Sequence, residues 1–430
     1  MIPANESAHN AHIGLEDCSL PENWNIVPLR RKCFLNTGAT PSRSRSDFWQ
    51  GDINWFSSKD LKSKLLPDSE EKITHLAVDT TGLRLHPAGT LVACFRSGIL
   101  RHTFPVAIGT EPFTVNQDLR AITLSQDCSS HFVLYYLMGM NNSILASCRK
   151  IGATVESIET KWFLDYPLVV PPLLDQQLIV DFLDEKTAEI DGLVGQLERE
   201  VELLERYRRE LIAHTVTHGL NPDAPMRDSG IDWVGKIPRH WKMLRIASLY
   251  DERSAKVSDQ DFPPLSVTMQ GILPQIETVA KTNDGDNRKL IKKGDFVINS
   301  RSDRRGACGI ADRDGSCSLI NTVLKPQQSI HNPFFNYLFR SNVFADEFYK
   351  WGHGIVDDLW TTRWTDMKVI QVPVPPIAEQ RMVAEFLKTR TAQLDLTILN
   401  INKQIELLGK YRKQVINDAV TGKVRVEGAE

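Results

Sequence analysis

The sequence predicts an α+β fold class, with two mixed α/β domains and two long coiled-coil helices arranged as a pseudo-twofold repeat. Three observations support this prediction. A set of residues recurs 204 positions later without a gap. Each copy carries apolar residues at alternating spacings of four and three, which is the seam of a coiled coil. The segments before the two copies read as short strands and helices between turns rich in Gly and Pro.

The repeat is too long for a solenoid, whose units span roughly 20–50 residues. Each repeated unit is therefore a whole domain followed by a helix. A chain with two similar halves tends towards pseudo-twofold symmetry, and so presents two like surfaces to two like partners. The first copy contains Pro171, Gln176, Phe182, Leu183, Thr187, Asp191, Leu203, Tyr207, Arg208 and Val216, and the second contains Pro375, Gln380, Phe386, Leu387, Thr391, Asp395, Leu407, Tyr411, Arg412 and Val420.

Composition places the chain among soluble proteins. Its 430 residues are enough for about two to four domains, and 41% are apolar and 24% charged. The N-terminus is polar, so no secretory signal is expected, and no apolar run reaches the roughly 18–20 residues that span a bilayer. Seven cysteines form no C-x-x-C pair. Scattered cysteines are typical of reduced thiols, so we expect a cytoplasmic protein without disulfides, bound metal or cofactor.

The first predicted domain covers residues 1–172. Residues 91–95 read as a strand and residues 132–140 as a short helix. Residues 21–170 carry a net charge of roughly +2. This mild basicity is weak evidence by itself for a nucleic-acid partner.

The first long helix is predicted over residues 173–217. Pro171 and Pro172 mark its start and Gly219 marks its end. About 43 residues at ~1.5 Å each make a rod of ~60 Å, and the segment carries a net charge of roughly −6. Its seam residues are Ile190, Val194, Leu197, Val201, Leu204 and Leu211.

A turn-rich linker, residues 218–236, leads to a second predicted domain over residues 237–376. This domain is mildly basic, at roughly +3 over residues 237–372. Strands are expected at 296–299 and 369–374, and a helix at 334–339. Residues 89–92 and 294–297 match at an offset of 205, whereas most other positions differ. A common scaffold with different polar loops is typical of two domains that read different things.

The second long helix is predicted within the last segment, residues 377–430, with Gly422 at its end. Since both helices carry an apolar seam, we expect them to pack against each other, although such a seam also serves as a dimerisation device. Arg208 and Arg412 fall on the seam, where they either extend to solvent, meet an acidic neighbour or fix the register. The second seam consists of Leu394, Ile398, Ile401, Ile405, Leu408 and Val415.

Several short motifs, in order along the chain, carry a family resemblance. They are residues 38–41 (GATP), 49–55 (WQGDINW), 116–118 (NQD), 171–176 (PPLLDQ) and 229–233 (SGIDW). Together they resemble the specificity subunit of type I restriction–modification systems over nearly the full length. The second half lacks the Gly-x-Thr-Pro and Trp-x-Gly elements, so its loops do not align with those of the first.

The resemblance implies that each globular domain is a target-recognition domain for one half of a split, asymmetric DNA site. It implies antiparallel spacer helices that fix the distance between half-sites, two docked methyltransferase subunits, and restriction subunits that join them. Catalysis would belong to those partners, so the chain itself is not expected to be an enzyme. The alternatives are a coiled-coil adaptor, a remnant specificity subunit of a modification-only system, or a modification enzyme.

Two motifs resemble catalytic motifs but do not meet their requirements. Residues 332–335 (NPFF) resemble the Asn-Pro-Pro-Phe/Tyr motif of amino-methyltransferases but lack the second proline, and no Gly-rich cofactor loop follows a strand. Asp68, Glu70 and Lys72 resemble a nuclease pattern, but the carboxylates are too close in sequence. A solvated charged loop is therefore the favoured interpretation.

Candidate DNA contacts follow from side-chain chemistry. Arginine bonds guanine O6 and N7 with two donors, and Asn or Gln bonds adenine N6 and N7. The alternative for any one residue is a phosphate contact or a plain surface charge. Trp49 and Trp55 are interpreted as core residues. The candidates are Arg43, Arg45, Arg96, Arg101, Asn116 and Gln117 in the first domain and Arg301, Arg304, Arg305 and Arg313 in the second.

Overall fold

The computed structural model describes residues 20–150, 155–275, 285–354 and 360–426. The chain divides into two compact units, Met1–Gln196 with Gln404–Glu430, and Leu197–Lys403. Each unit holds one globular domain, the first part of one long helix and the last part of the other. Cys18 lies outside the described residues.

The first unit is built on a five-stranded sheet in the order β2-β9-β6-β7-β4, beside a three-stranded sheet β5-β3-β8 and the pair β1-β10. Its strands are β1 (Asn25–Pro28), β2 (Cys33–Thr37), β3 (Trp49–Phe56), β4 (Leu65–Leu66), β5 (Lys72–Ile73), β6 (Leu91–Cys94), β7 (Val106–Gly109), β8 (Phe113–Val115), β9 (Leu119–Leu124) and β10 (Pro167–Val170). Its helices are α1 (His75–Thr81), α2 (Ser130–Gly139), α3 (Asn141–Cys148), α4 (Thr160–Asp165) and α5 (Leu173–His218), the last of which continues into the second unit.

The second unit has a four-stranded sheet β14-β22-β19-β20, a three-stranded sheet β15-β18-β21 and three strand pairs, β11-β12, β13-β23 and β16-β17. Its strands are β11 (Met226–Asp228), β12 (Lys236–Pro238), β13 (Lys242–Arg245), β14 (Tyr250–Glu252), β15 (Lys256–Val257), β16 (Leu265–Thr268), β17 (Gly271–Pro274), β18 (Arg288–Ile291), β19 (Phe296–Asn299), β20 (Cys308–Ile310), β21 (Gly315–Cys317), β22 (Asn321–Pro326) and β23 (Gln371–Val374). Its helices are α6 (Asn332–Arg340), α7 (Asn342–Lys350), α8 (Trp364–Met367) and α9 (Ile377–Val420), the last of which continues into the first unit.

The strands and short helices predicted from the sequence are confirmed to within two residues at each end. They correspond to β6, β19, β23, α2 and α6. The strand β6 is buried along its whole length, which explains why it reads as a continuous apolar run rather than an alternating one.

The two long helices have 46 and 44 residues. Each is followed by a glycine in the left-handed region, Gly219 at φ 76° and Gly422 at φ 73°, as the sequence predicts. None of the helices in the described ranges is long and apolar enough to span a bilayer.

The long helices enter both cores in opposite directions. In the first unit, Ile179 and Leu183 near the start of α5 share a core with Ile416 and Val420 at the end of α9. In the second unit, Val216 at the end of α5 shares a core with residues 383–387 near the start of α9. The helix segments within each unit therefore run antiparallel. The apolar seam residues are covered by other residues of the same chain.

The seam residues face these contacts. All twelve are buried or half-buried, whereas leucines off the seam, such as Leu203, Leu396 and Leu399, are exposed. Both seam arginines meet an acidic neighbour, which is one of the expected arrangements. Arg412 donates to Asp191 at 2.8 and 3.0 Å in the first unit.

In the second unit, Arg208 pairs with Asp395 at 2.9 Å. Each member of this ion pair lies 204 residues from its counterpart in the other pair. The two ion pairs thus join matching residues, with the basic and acidic helices exchanged. They differ in geometry, because Arg412 makes two hydrogen bonds to its carboxylate whereas Nε of Arg208 has no hydrogen-bond partner among the described residues.

Candidate nucleic-acid interface

Three of the six candidates in the first domain meet at one polar cleft of about 290 Å³. Arg43 and Asn116 line it, together with Thr40. Gln117 is exposed beside them and accepts a hydrogen bond from the Thr40 hydroxyl at 2.6 Å. The cleft therefore brings together residues that lie 77 positions apart in the sequence.

Arg43 is the best-defined cation of this cleft. Its guanidinium carbon lies 3.9 Å from the centre of the Trp49 ring, and its two terminal nitrogens both donate to the Glu71 carboxylate, one at 2.8 Å. This hydrogen bonding holds the pKa of Glu71 below its ordinary value. The pair is exposed, so its net contribution to stability is small, but it fixes the orientation of the guanidinium.

The strand β3 positions the aromatic support of Arg43. Trp55 is buried, and its indole nitrogen donates to the carbonyl of Ala39 at 3.0 Å, so its interpretation as a core residue is confirmed. Trp49 is half-buried and packs edge-on against Trp55, with ring centres 5.2 Å apart. Trp49 thus has one face available for Arg43.

Asn116 is buried, and its carboxamide oxygen accepts hydrogen bonds from the backbone N–H groups of Asp118 and Leu119 at 3.0 and 3.1 Å. This is a turn-forming use of the side chain. Its predicted base contact stays a prediction.

The remaining candidates of the first domain do not line this cleft, although the backbone N–H of Arg96 donates to the carbonyl of Asp118 at 3.0 Å. Arg45 is exposed and pairs with Asp47 at 2.6 Å, and its guanidinium lies 4.3 Å from the Phe48 ring. Arg101 pairs with Glu156 at 3.3 Å. The exposed side chain of Arg96 has no partner among the described residues.

The candidates of the second domain are also accompanied by carboxylates. Arg301 lies 3.0 Å and Arg304 3.8 Å from Asp303. Arg305 pairs with Asp346, and Arg313 pairs with Asp312 at 2.8 Å. The loop from Arg301 to Arg305 is therefore less basic than its own sequence indicates.

Each unit also has a larger cleft beside its helix segments. The cleft of the first unit, about 600 Å³, is lined by Asp191, Arg412, Lys413 and Ile416 among others. The cleft of the second unit, about 870 Å³, is lined by the matching residues of the other copy. These are Asp395, Arg208, Arg209 and Ile212. The repeat thus places the same four side-chain positions in a cleft of each unit.

The helices also expose apolar residues at matching positions. Leu203 and Tyr207 in the second unit are 53% and 44% exposed, and Leu407 and Tyr411 in the first are 53% and 54% exposed. Leu and Tyr four residues apart lie on the same helix face. Each unit therefore carries one copy of the same exposed apolar pair.

Sequence reasoning missed Glu71 and Asp118 as members of the cleft. Glu71 lies in the loop interpreted as solvated charge, where Lys62 pairs with Glu70 at 2.8 Å and Lys72 with Asp68 at 2.9 Å. The alternation of basic and acidic residues was visible, but which carboxylate meets Arg43 was not.

The residues set aside as catalytic motifs have internal contacts. The Asn332 side chain accepts a hydrogen bond from the Tyr250 hydroxyl and donates to the carbonyl of Gly294 at 2.8 Å. The six described cysteines are buried, and burial raises the pKa of Cys94 to about 11. The described residues contain no group of three or more side chains arranged to hold a metal ion.

The sequence matches the family described as type I restriction modification DNA specificity domain over residues 21–203 and 239–407. A type I restriction enzyme specificity subunit of Escherichia coli is 32% identical over 179 residues, which is 41% of this chain and 44% of that relative. The type I restriction enzyme MjaVIII specificity subunit of Methanocaldococcus jannaschii is 26% identical over 312 residues, or 68% of this chain and 70% of the relative.

Two solved structures share the fold. One, described as the structural basis of complex assembly and conformational transition of the type I R-M system, gives a TM-score of 0.71 at 14% identity and covers 95% of this chain and 100% of its own. The HsdS subunit from Thermoanaerobacter tengcongensis gives a TM-score of 0.56 at 14% identity, covering 95% and 99%. The predicted fold class is thereby confirmed.

Proposed function

Because the chain belongs to the type I restriction modification DNA specificity family, we propose that it is a DNA specificity subunit that reads a bipartite, asymmetric target. The observation that carries this proposal is the family match in two blocks, one for each copy of the repeat. Each globular domain reads one half-site. The cleft at Arg43 and the loop from Arg301 to Arg305 supply candidate contacts to bases or phosphates.

We propose the following division of labour along the chain. Residues 1–172 and 237–376 are the two target-recognition domains, residues 173–217 and 377–430 contain the spacer helices, and residues 218–236 link the halves. Each spacer helix is continuous over 44 residues or more, which supports a role in fixing the gap between half-sites. Half-sites on one face of B-DNA lie about 34 Å apart for each turn of the duplex.

The proposed partners are double-stranded DNA, two methyltransferase subunits and restriction subunits. Support for two copies of one partner comes from the surfaces that occur twice. These are the exposed pairs Leu203–Tyr207 and Leu407–Tyr411 and the clefts at Arg208 and Arg412. Exposed apolar side chains flanked by charge are typical of protein interfaces.

In this proposal the subunit has no catalytic activity of its own. Methyl transfer and DNA cleavage belong to the partners, and the complex works in the cytoplasm, where its DNA is. Reduced, buried cysteines fit that compartment.

The test is co-expression with the cognate methyltransferase subunit in a methylation-free host, followed by genome-wide mapping of modified adenines. The proposal predicts a single motif with two short specific parts around a fixed run of unspecified bases. A stable complex that modifies no motif would contradict it. A chain that fails to bind random duplex DNA at low salt would favour a coiled-coil adaptor instead.

A second experiment tests modularity. Exchanging residues 237–372 for the equivalent domain of a relative is expected to change one half of the methylated motif and leave the other half unchanged. A change in both halves would contradict the assignment of one half-site to each domain.

A further inference from the structure

Arg43 is held from two directions at the rim of the first-domain cleft. The Trp49 ring supports one face of the guanidinium at 3.9 Å, and the Glu71 carboxylate binds both of its terminal nitrogens. A surface arginine ordinarily samples many rotamers, and holding the guanidinium plane removes that freedom in advance. A fixed guanidinium suits a planar acceptor with a defined direction better than it suits a phosphate, which accepts from many directions.

The support itself is built on an irregular strand. Gln50 has a φ of 62° and is the one residue other than glycine with a positive φ in the described part of the chain. It lies in a bulge of β3 between Trp49 and Ile53. At Gly51 any Cβ would lie 2.3 Å from the carbonyl oxygen of Ile73, so this position requires glycine. Bulges of this kind re-aim a neighbouring side chain, which here is Trp49.

The charge of the cleft does not fit a phosphate site. Among the described residues that line it, two are basic, Arg43 and Lys59, and four are acidic, Asp60, Glu70, Glu71 and Asp118, which gives a net charge of −2. Contacts to phosphates draw on net positive charge, whereas base edges present both donors and acceptors. The net charge of the cleft gives no attraction to phosphates, whereas its mixture of donors and acceptors is of the kind that base edges bind.

Asp118 supplies the complementary acceptor. Asp118 lines the same cleft, and within the described ranges its carboxylate accepts no hydrogen bond, although the charge of Arg120 lies nearby. In the major groove a G·C pair presents the guanine O6 and N7 acceptors beside the cytosine N4 donor. Beside the Glu71 pair, the Arg43 guanidinium keeps its Nε–H and the second N–H of the adjacent terminal nitrogen for guanine O6 and N7, and the Asp118 carboxylate supplies an acceptor for cytosine N4.

We propose that Arg43 reads a guanine in the half-site of the first domain, that Asp118 accepts from the amino group of its cytosine, and that Glu71 and Trp49 are positioning residues for Arg43. This inference rests on the proposed function, since it requires that the first domain reads DNA.

The experiment compares methylation motifs of the full chain co-expressed with its methyltransferase subunit. The variants are Arg43→Ala, Arg43→Lys and Glu71→Gln, and the matched control is Arg30→Ala. Arg30 is also exposed and paired with a carboxylate, that of Asp165, but it does not line the cleft and is not a candidate DNA contact. The half-site of the second domain serves as an internal control for folding and assembly.

With Arg43→Ala, one G·C position in one half-site is expected to become degenerate, with discrimination reduced roughly tenfold to hundredfold. Arg43→Lys keeps the charge but not the paired donors, and is expected to relax the same position. Glu71→Gln is expected to relax it partially without weakening binding to random DNA. Arg30→Ala is expected to leave the motif unchanged. Should Arg43→Ala also lose the second half-site through misfolding, Arg43→Lys carries the test.

Three outcomes overturn the inference or separate it from the proposed function. A wild-type motif that stays intact in all Arg43 variants shows that Arg43 reads nothing. A uniform loss of affinity on all sequences, with the salt slope reduced by about 1, identifies a phosphate contact instead. If the wild-type complex itself gives no split motif, the proposed function fails before Arg43 is tested.

Discussion

The two long helices begin with different hydrogen bonds between side chains. At the first, the indole nitrogen of Trp24 donates to the Asp175 carboxylate at 3.0 Å. At the second, the matching Trp241 is buried and its indole nitrogen has no partner among the described residues. The acidic residue there is Glu379, which lies 2.8 Å from His240 instead. Glu379 is one methylene longer than Asp175 and has a histidine beside it, so its carboxylate meets His240 rather than Trp241.

Other contacts at these helix starts are the same in both units. Gln176 donates to the carbonyl of Pro171 and Gln380 to that of Pro375, each at 2.8 Å. Each glutamine also accepts from a backbone N–H of its own globular domain at 2.8 Å. The contacts of these glutamines with the backbone are therefore the same in both copies of the repeat, whereas the contacts between side chains differ.

The link between globular domain and helix differs further along. In the first unit, Lys64 donates to Tyr135 at 2.6 Å and to Asp184 at 3.0 Å. The position that matches Asp184 is Lys388, which pairs with Glu385 on its own helix at 3.7 Å. The helices are thus alike, whereas each globular domain is fastened to them by contacts of its own. This is the pattern expected of two like helices that carry two different globular domains.

The largest effect is expected from the two core leucines that the repeat relates. Leu183 and Leu387 are both fully buried, each in its own core. Leu183→Ala and Leu387→Ala should each lower the free energy of unfolding by about 2–5 kcal/mol, because each leaves a cavity. Peptide-resolved hydrogen exchange assigns each loss to its unit. Strongly unequal losses of unfolding free energy would show that the two cores are not equivalent.

The next effect concerns acid stability. Burial lowers the pKa of His218 and His331 in the second unit, but the large shift is that of His86 in the first. Burial lowers the pKa of His86 from 6.5 to about 4. Because the unfolded chain binds this proton near pH 6.5 and the folded chain only near pH 4, the free energy of unfolding falls as the pH drops between these values. The loss is about 1–3 kcal/mol by pH 4. Hydrogen exchange at pH 7 and 4.5 measures it.

Two variants serve as controls for this pH dependence. His86→Phe is expected to flatten it in the first unit, whereas His75→Gln, which changes an exposed histidine, should leave it unchanged. The same acid sensitivity in wild type and His86→Phe would show that other groups cause it.

Trp24 and Trp241, at the starts of the two helices, are expected to contribute unequally to stability. Trp24→Phe removes a hydrogen bond to a carboxylate, whereas Trp241→Phe removes an N–H that has no described partner. Trp24→Phe is therefore expected to cost roughly 1–3 kcal/mol more in thermal unfolding than Trp241→Phe. Equal costs would indicate that the Trp24 hydrogen bond contributes little.

The smallest effect is expected at the two ion pairs on the seam. Arg412→Ala and Arg208→Ala each remove one partly exposed pair, so each should lower stability by no more than about 1 kcal/mol. The loss at Arg208 should be no larger than that at Arg412 because, among the described residues, only Arg412 makes hydrogen bonds to its carboxylate. A larger loss at Arg208, measured by thermal unfolding, would mean that the two helix segments pack differently.

Features set by local spacing could be read from the sequence. The alternation of four and three residues places Ile190, Val194 and Leu197 on one face of a helix wherever that helix lies. The glycines that end the two helices act through their own φ angles, and the period of 204 residues depends on no structure at all. These features follow from neighbours a few positions apart.

Tertiary structure alone decided which distant groups meet. That Arg43 binds Glu71 across 28 residues, that Trp24 reaches Asp175 across 151, and that Asn116 turns inward while Gln117 stays exposed all depend on how strands and helices pack. A side chain's own identity does not select its partner, because several carboxylates lie within reach of each arginine in the sequence. Burial and backbone direction select it, and both arise only when the whole domain has folded.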